Sequence, residues 1–139
     1  MSGLKAGFAA PTFPLIHGQI LPEAAHQLTP WVSNFFENRL MIQFIHRSLG
    51  FTLLFLGIII AQDLLKNKLR RTNLIGFGFL ILLTSQIGLG IITLISFKSG
   101  IPVILASIHQ FVAIILILSS LYIVYITRFA YGSHQPQVQ

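Results

Sequence analysis

Three long apolar runs constrain this chain more than any other feature of its sequence. They extend over residues 40–62, 74–97 and 103–127, and each is 23 to 25 residues long. About 20 apolar residues in a helix cross the ~30 Å hydrocarbon core of a bilayer. Strands would not supply such lengths, and lipid requires every backbone polar group to be paired internally. The runs therefore predict an all-α membrane protein with three transmembrane helices.

The composition supports this prediction and excludes several other classes of protein. Of the 139 residues, 54% are apolar and 9% are charged, whereas a soluble domain is about 25% charged. The same values exclude a disordered chain. The absence of cysteine excludes disulfides, thiolate metal sites and cysteine nucleophiles. The net charge of +6 would suggest nucleic acid in a soluble protein. Here the basic residues flank apolar runs, which indicates membrane topology and no nucleic-acid partner.

The distribution of basic residues predicts the orientation in the membrane. The segment between the first two runs, residues 63–73, carries Lys66, Lys68, Arg70 and Arg71, and Arg128 follows the third run. The connection between the second and third runs carries Lys98 alone. By the positive-inside rule, residues 63–73 and the C-terminus are cytoplasmic and residues 1–39 lie outside. Because no transit segment is visible, we expect a multi-pass protein of a bacterial plasma membrane.

The flanking segments are predicted to differ from the transmembrane domain, residues 40–128. Four prolines break residues 1–39 into turns. Thr29-Pro30 has the pattern of a helix start, with Thr29 as the N-cap and Pro30 in the first helical position. We expect a short interfacial helix there, with Trp31, Phe35 and Phe36 as aromatic anchors at the membrane surface. Residues 129–139 are predicted to form a polar tail.

Two histidines lie within the apolar runs, and ionisable residues at such positions are by default functional candidates. His46 is about six residues into the first run, and His109 is about six residues into the third. Both runs begin on the outer side, so each histidine lies ~9 Å below the same surface. Two histidines at matching depth on different helices can hold one metal from two sides.

The residue types around the two histidines favour heme iron over a lone metal ion. A zinc ion takes three or four protein ligands, and no Cys, Asp or Glu is available at this depth. Heme iron needs two axial ligands from the protein. Gly50, Ala106 and Ala113 share a helix face with the histidines and leave room for a planar ring. The alternative is that the histidines bond between helices and the small residues simply pack, as in many membrane proteins.

Other polar residues of the spans have two interpretations each. Arg47 either pairs with a heme propionate or extends to the interface. Glu37 either handles protons at a heme edge or is a solvated carboxylate at a helix start, which we favour. Gln86 can bond across helices, and the glycines at positions 88 and 90 can allow close approach of a helix or a ring. Ordinary interhelical packing explains both, and we favour it.

Several short segments resemble one family when they are taken in order along the chain. They are SGLKAG at residues 2–7, APTFPL at 10–15, Gly18, Pro22, PW at 30–31, NFFEN at 34–38, QFIHR at 43–47, QIGLGIITL at 86–94 and HQ at 109–110. Together they resemble the C-terminal half of heme A synthase, the cytochrome oxidase assembly enzyme. The resemblance covers residues 2 to about 128.

This resemblance implies a fold, a reaction and a ligand pair. The family has eight membrane helices in two related halves, each of which offers two histidines to a heme. The enzyme oxidises the C8 methyl of heme O to the formyl group of heme A. The C-terminal half holds heme b, and His46 and His109 match its axial pair. The implied partners are membrane lipid, heme, the N-terminal half, another copy of the chain or heme O synthase.

Two departures from the family pattern limit what is expected of this chain. The reacting half of the family has a Glu three residues before its first histidine, and here that residue is Gln43, which cannot act as a base. Three of the four helices of a half are present, so we expect an incomplete four-helix bundle half, and Met1 falls at a position that looks internal. We therefore expect part of an oxidoreductase that does not catalyse alone, and we predict no catalytic residue.

Three interpretations remain open at this point. The first is the heme-b-binding half of a heme A synthase. The second is a small membrane b-type cytochrome that transfers electrons without oxygenation chemistry. The third is a heme-free structural membrane fragment, whose polar side chains only pack helices.

Overall fold

The computed structural model describes residues 6–66 and 70–130, and within them the chain is helical with no strand. Three long helices are formed: α1 (Arg39–Lys66), α2 (Arg70–Ser96) and α3 (Val103–Tyr125). Each is long and apolar enough to cross a membrane. Shorter helical turns occur at Ala6–Phe8, Glu23–His26, Trp31–Phe35, Phe97–Ser99 and Ile126–Ala130. The all-α class and the three predicted spans are confirmed.

Helix α2 packs against α1 along its length. Gly57 of α1 faces Leu83 of α2, and Leu64 of α1 faces Gly76 of α2. Since the pairs progress in opposite directions along the two helices, α1 and α2 are antiparallel. A Cβ at Gly57 would overlap the side chain of Leu83, so glycine at this position allows the two helices to approach closely.

Helix α3 packs on the other side of α2. Phe79 of α2 and Ile123 of α3 belong to one buried apolar cluster, and Gly90 of α2 faces His109 of α3. These pairs also progress in opposite directions, so α3 is antiparallel to α2. Helices α1 and α3 therefore begin at the same end of the bundle and flank α2, which places their N-terminal turns at one common level.

The prediction that residues 63–73 form a loop between the first two spans is largely wrong. Residues 63–66 continue α1 and residues 70–73 begin α2. Lys and Arg are good helix formers, and a helix continues into the polar interface without losing its internal hydrogen bonds. Lys68 lies outside the described residues. The predicted polar tail is also outside them from residue 131 onwards, and Arg128 lies within a π-helical turn rather than after the last helix.

The predicted interfacial helix is present, but its start differs from the prediction. Trp31–Phe35 forms a 3₁₀ helix, and Pro30 occupies the N-cap position instead of the first helical position. Proline has no side-chain acceptor, and no side chain caps this helix. Trp31 is 59% exposed and Phe36 is 71% exposed. These exposed aromatic side chains suit the predicted membrane-surface role, which remains a prediction.

Asn34 and Asn38 connect this short helix to the start of α1. The fully buried Asn34 donates to the carbonyls of Leu28 and Trp31, and its Oδ1 accepts from the amides of Leu28 and Asn38. Oδ1 of Asn38 in turn accepts from the Leu40 amide in the first turn of α1. The two amide side chains thus fix the angle at which the chain enters the first long helix.

Replacing Asn34 with Ala is expected to destabilise the chain by about 2 kcal/mol, because it leaves partly buried main-chain groups of Leu28 and Trp31 unpaired. Thermal unfolding in detergent would measure the loss. The matched control is Ser33→Ala, at a half-buried neighbour whose hydroxyl makes no hydrogen bond among the described residues. Equal melting temperatures for the two variants would contradict the prediction.

Candidate heme-binding site

His46 lies in the second turn of α1 and is exposed in the isolated chain. It lines a shallow depression of about 210 Å³ together with Phe35, Ile42, Ile45 and Leu49. Within the described residues its imidazole makes no hydrogen bond. An imidazole without a partner inside a transmembrane segment is energetically costly. The imidazole of His46 is therefore available to a group from outside the described part of this chain.

His109 lies at the corresponding level of α3 and is half-buried. Its ring packs against Gly90 of α2, where an added Cβ would be 3.0 Å from Cε1 of the imidazole. Nε2 of the ring is 3.4 Å from Nε2 of Gln86, also on α2. Nδ1 of the ring is buried without a hydrogen-bond partner among the described residues. His109 therefore has limited polar contact with its own bundle.

The structure brings the two histidines to the same end of the bundle. His46 lies in the second turn of α1 and His109 in the second turn of α3, and both helices begin at this end. Among the described residues, no group of three or more His, Asp or Glu is placed to hold a metal ion.

Arg47 is directed toward the N-terminal segment. Its terminal nitrogens donate to the carbonyls of Pro14 and Ala10, each at 3.1 Å, and to Oε1 of Gln43 at 2.8 Å. Nε is buried and has no hydrogen-bond partner among the described residues. The guanidinium thus ties the segment before α1 to the helix, and Nε is its buried nitrogen without a partner among the described residues.

Gln43 completes this connection from a fully buried position. Its amide nitrogen donates to the carbonyl of Ala6, and its amide oxygen accepts from Arg47. A glutamine can do both at once, whereas an ionised carboxylate only accepts. At this position the chain therefore uses an amide to join the N-terminal segment to α1.

The α2 face between the two outer helices carries a row of polar and small residues. Gln86, Gly90 and Thr93 lie on one side of α2 at helical spacing. Gln86 of α2 contacts His109 of α3, which agrees with the interpretation that this glutamine bonds across helices. The Oε1 of Gln86 and the buried hydroxyl of Thr93 have no partner among the described residues. Sequence reasoning missed Thr93, although its spacing of seven residues from Gln86 was a usable signal.

The small residues predicted to clear room for a ring are placed differently from one another. Gly50 faces α2, with Ile87 at 4.0 Å from an added Cβ. Gly90 faces the imidazole of His109. Ala106 and Ala113 are half-buried on α3. The close approach at Gly90 is thus made to a histidine of this chain, and Gly50 serves helix packing.

These elements and residues agree with a known group of membrane proteins. The family model of cytochrome oxidase assembly protein (COX15-CtaA) matches residues 1–121. This chain belongs to that family. The resemblance noted from the sequence is confirmed at this level.

Curated relatives support the same assignment. The chain is 42% identical over 122 residues to a heme A synthase of Wolbachia pipientis wMel, covering 88% of the chain and 32% of that protein. It is 39% identical over 120 residues to a heme A synthase of Bradyrhizobium sp., covering 84% of the chain and 32% of that protein. It is 36% identical over 129 residues to a heme A synthase of Nitrosospira multiformis, covering 88% of the chain and 34% of that protein. The chain therefore spans about a third of the length of these relatives. No solved structure matches it.

Proposed function

We propose that this chain is the heme-b-binding C-terminal part of a heme A synthase and that His46 and His109 are the axial ligands of the heme iron. One observation carries the proposal. Two imidazoles on the two outer helices lie at one level of the bundle, because α1 and α3 begin at the same end and both pack on α2. The relatives that match this chain are heme A synthases, and the family membership makes heme-related chemistry the expected setting.

The residues present fit a heme better than they fit a helix-packing role. Packing would pair each histidine with a polar group of a neighbouring helix. His46 has no such partner among the described residues. His109 contacts Gln86 of α2 through Nε2 at the long distance of 3.4 Å, and its Nδ1 is buried and unpaired within the described part of the chain. Two neutral imidazoles are the donor set that heme iron accepts on its two axial positions. The donor set and its unmet hydrogen bonds therefore favour ligation.

Arg47 is proposed to contact a heme propionate through Nε. Its terminal nitrogens are already bound to main-chain carbonyls and to Gln43, whereas Nε is buried and free among the described residues. A charged N–H that lacks an acceptor at this depth favours an anionic group. The guanidinium would then hold the N-terminal segment and the edge of the heme together.

The conversion of heme O into heme A is proposed to need more protein than this chain. When bound, a b-type heme supplies storage and transfer of one electron. In this chain His46 and His109 would hold that group, and Gln43 offers no carboxylate for proton transfer. The partners we propose are the remaining part of such a synthase, which in the relatives is about two thirds of the protein, another copy of this chain, or heme O synthase, within membrane lipid.

The proposed orientation follows the charge distribution. The connection between α1 and α2 and the C-terminus would be cytoplasmic, and residues 1–39 would lie on the outer face of a bacterial plasma membrane. In this arrangement both histidines lie near the outer surface, beneath the N-terminal segment that Arg47 and Gln43 hold in place.

The first test is a reduced-minus-oxidised absorption spectrum of the full chain, purified in detergent after expression with an adequate heme supply. We expect a low-spin b-type spectrum and about one heme per chain, because two imidazoles give six-coordinate low-spin iron. Extraction of the pigment and identification as heme b completes the measurement. A colourless chain, or a high-spin spectrum that indicates a single protein ligand, would rule out the proposed site in this chain.

A further inference from the structure

The contact between Gln86 and His109 involves the ring nitrogen that a metal would use. Nε2 of the amide lies 3.4 Å from Nε2 of the imidazole. An amide nitrogen can only donate, so this contact requires Nε2 of His109 as the acceptor and the ring proton on Nδ1. The lone pair of Nε2 is therefore engaged within the bundle in the heme-free chain.

The same lone pair cannot serve an amide and an iron at once. Neutral imidazole binds metals through the lone pair of its unprotonated nitrogen. The ring also lies tight against α2, where an added Cβ at Gly90 would be 3.0 Å from Cε1 and 3.6 Å from Nε2. In this position His109 is docked on α2, and two residues of α2 hold it there.

In the docked position of His109, the polar atoms of His109 and Gln86 are only partly hydrogen-bonded. A separation of 3.4 Å is long for a hydrogen bond with a nitrogen donor. Nδ1 of His109 and Oε1 of Gln86 are both buried without a partner among the described residues. An interaction that leaves two buried polar atoms unpaired contributes little net stability, so a stronger ligand can replace it.

We propose that Gln86 is a positioning residue that occupies the coordinating nitrogen of His109 in the heme-free chain and has to be displaced before iron binds there. This inference rests on the proposed heme site. Gln86 acts through His109 and competes with the iron, so its removal is expected to strengthen heme binding while it weakens the heme-free fold.

The test is a titration of the heme-free full chain in detergent with hemin, for wild type and Gln86→Leu. Leucine cannot donate to Nε2, so we expect a Kd for hemin about three- to tenfold lower than that of wild type, the change that corresponds to one net hydrogen bond. The melting temperature of the heme-free chain is expected to fall slightly, because the long contact between the Gln86 side chain and His109 is lost. A purely structural role would lower both hemin affinity and stability.

Two further variants sharpen the titration. Gln86→Asn keeps the amide but is one methylene shorter, so it withdraws from the ring without placing an apolar side chain there, and it should also lower the Kd. Gln62→Leu is the matched control, since Gln62 is an exposed glutamine toward the other end of α1. Its Kd for hemin is expected to equal that of wild type.

The outcomes separate this inference from the proposed function. Hemin binding that depends on His109 but is unchanged or weakened in both Gln86 variants would overturn the role of Gln86 and leave the heme site standing. Hemin binding that is insensitive to His109→Ala, or no binding by wild type, would overturn the heme site and this inference with it.

Discussion

His46→Ala and His109→Ala are each expected to abolish the low-spin b-type spectrum of the heme-loaded chain. Each substitution removes one of the two histidines that the three long helices carry. The iron would then be five-coordinate and high-spin, or the heme would be lost during purification. The measurement is the reduced-minus-oxidised spectrum together with the heme content per chain.

Two controls distinguish the loss of a ligand from the loss of the fold. His26→Ala removes an exposed histidine of the N-terminal segment and should leave the spectrum unchanged. Added imidazole can enter the space left by an alanine and restore six-coordinate iron, which misfolded protein would not allow. A low-spin spectrum that persists in either single variant would show that the other ligand comes from elsewhere and would remove that histidine from the site.

The helical framework followed from the sequence because lipid leaves few alternatives. The three apolar runs had the length of a span, and lipid requires their backbone groups to be paired within each helix. What failed was the position of the helix ends near residues 63–73, since apolarity marks the hydrocarbon boundary and not the last helical residue. Backbone pairing continues past that boundary into Lys66 and from Arg70 onwards.

The level of the histidines was also predictable, whereas their partners were not. Counting residues from the start of each run placed His46 and His109 at one depth, and the antiparallel order of the helices agrees with it. The docking of His109 on Gly90 and Gln86 depends on the rotation of α2 about its axis. That rotation follows from close packing at positions such as Gly57, which no single-helix pattern reveals.

Arg47 shows why an ambiguous polar residue needs the tertiary structure. The sequence allowed a propionate partner or an interfacial cation, and neither interpretation included the main chain of residues 10–14. The segment before α1 folds back over the helix. Gln43 donates to the carbonyl of the buried Ala6, and Arg47 donates to the carbonyl of the buried Ala10. Contacts that are 37 residues apart in sequence leave no local pattern.

Replacing Arg47 with Ala is expected to release the N-terminal segment from α1 and to cost about 2 to 3 kcal/mol of stability, even before heme is considered. The substitution removes donors to two carbonyls and leaves the buried Oε1 of Gln43 unpaired. Hydrogen bonds of a charged donor contribute about 1.5 to 3 kcal/mol, and an unpaired buried acceptor adds its own cost. Thermal unfolding of the heme-free chain and limited proteolysis of residues 6–38 would measure the two effects.

The chain offers a matched control on the same helix. Arg39→Ala removes an exposed arginine at the first position of α1 and should leave both measurements near wild type. Arg47→Lys keeps the charge but cannot span the carbonyls of Ala10 and Pro14 with one planar fork, so an intermediate loss is expected. Equal melting temperatures and equal cleavage of Arg47→Ala and Arg39→Ala would contradict this prediction. The segment would then be held by apolar contacts such as the edge-to-face pair of Phe8 and Phe97, and Arg47 would serve the heme alone.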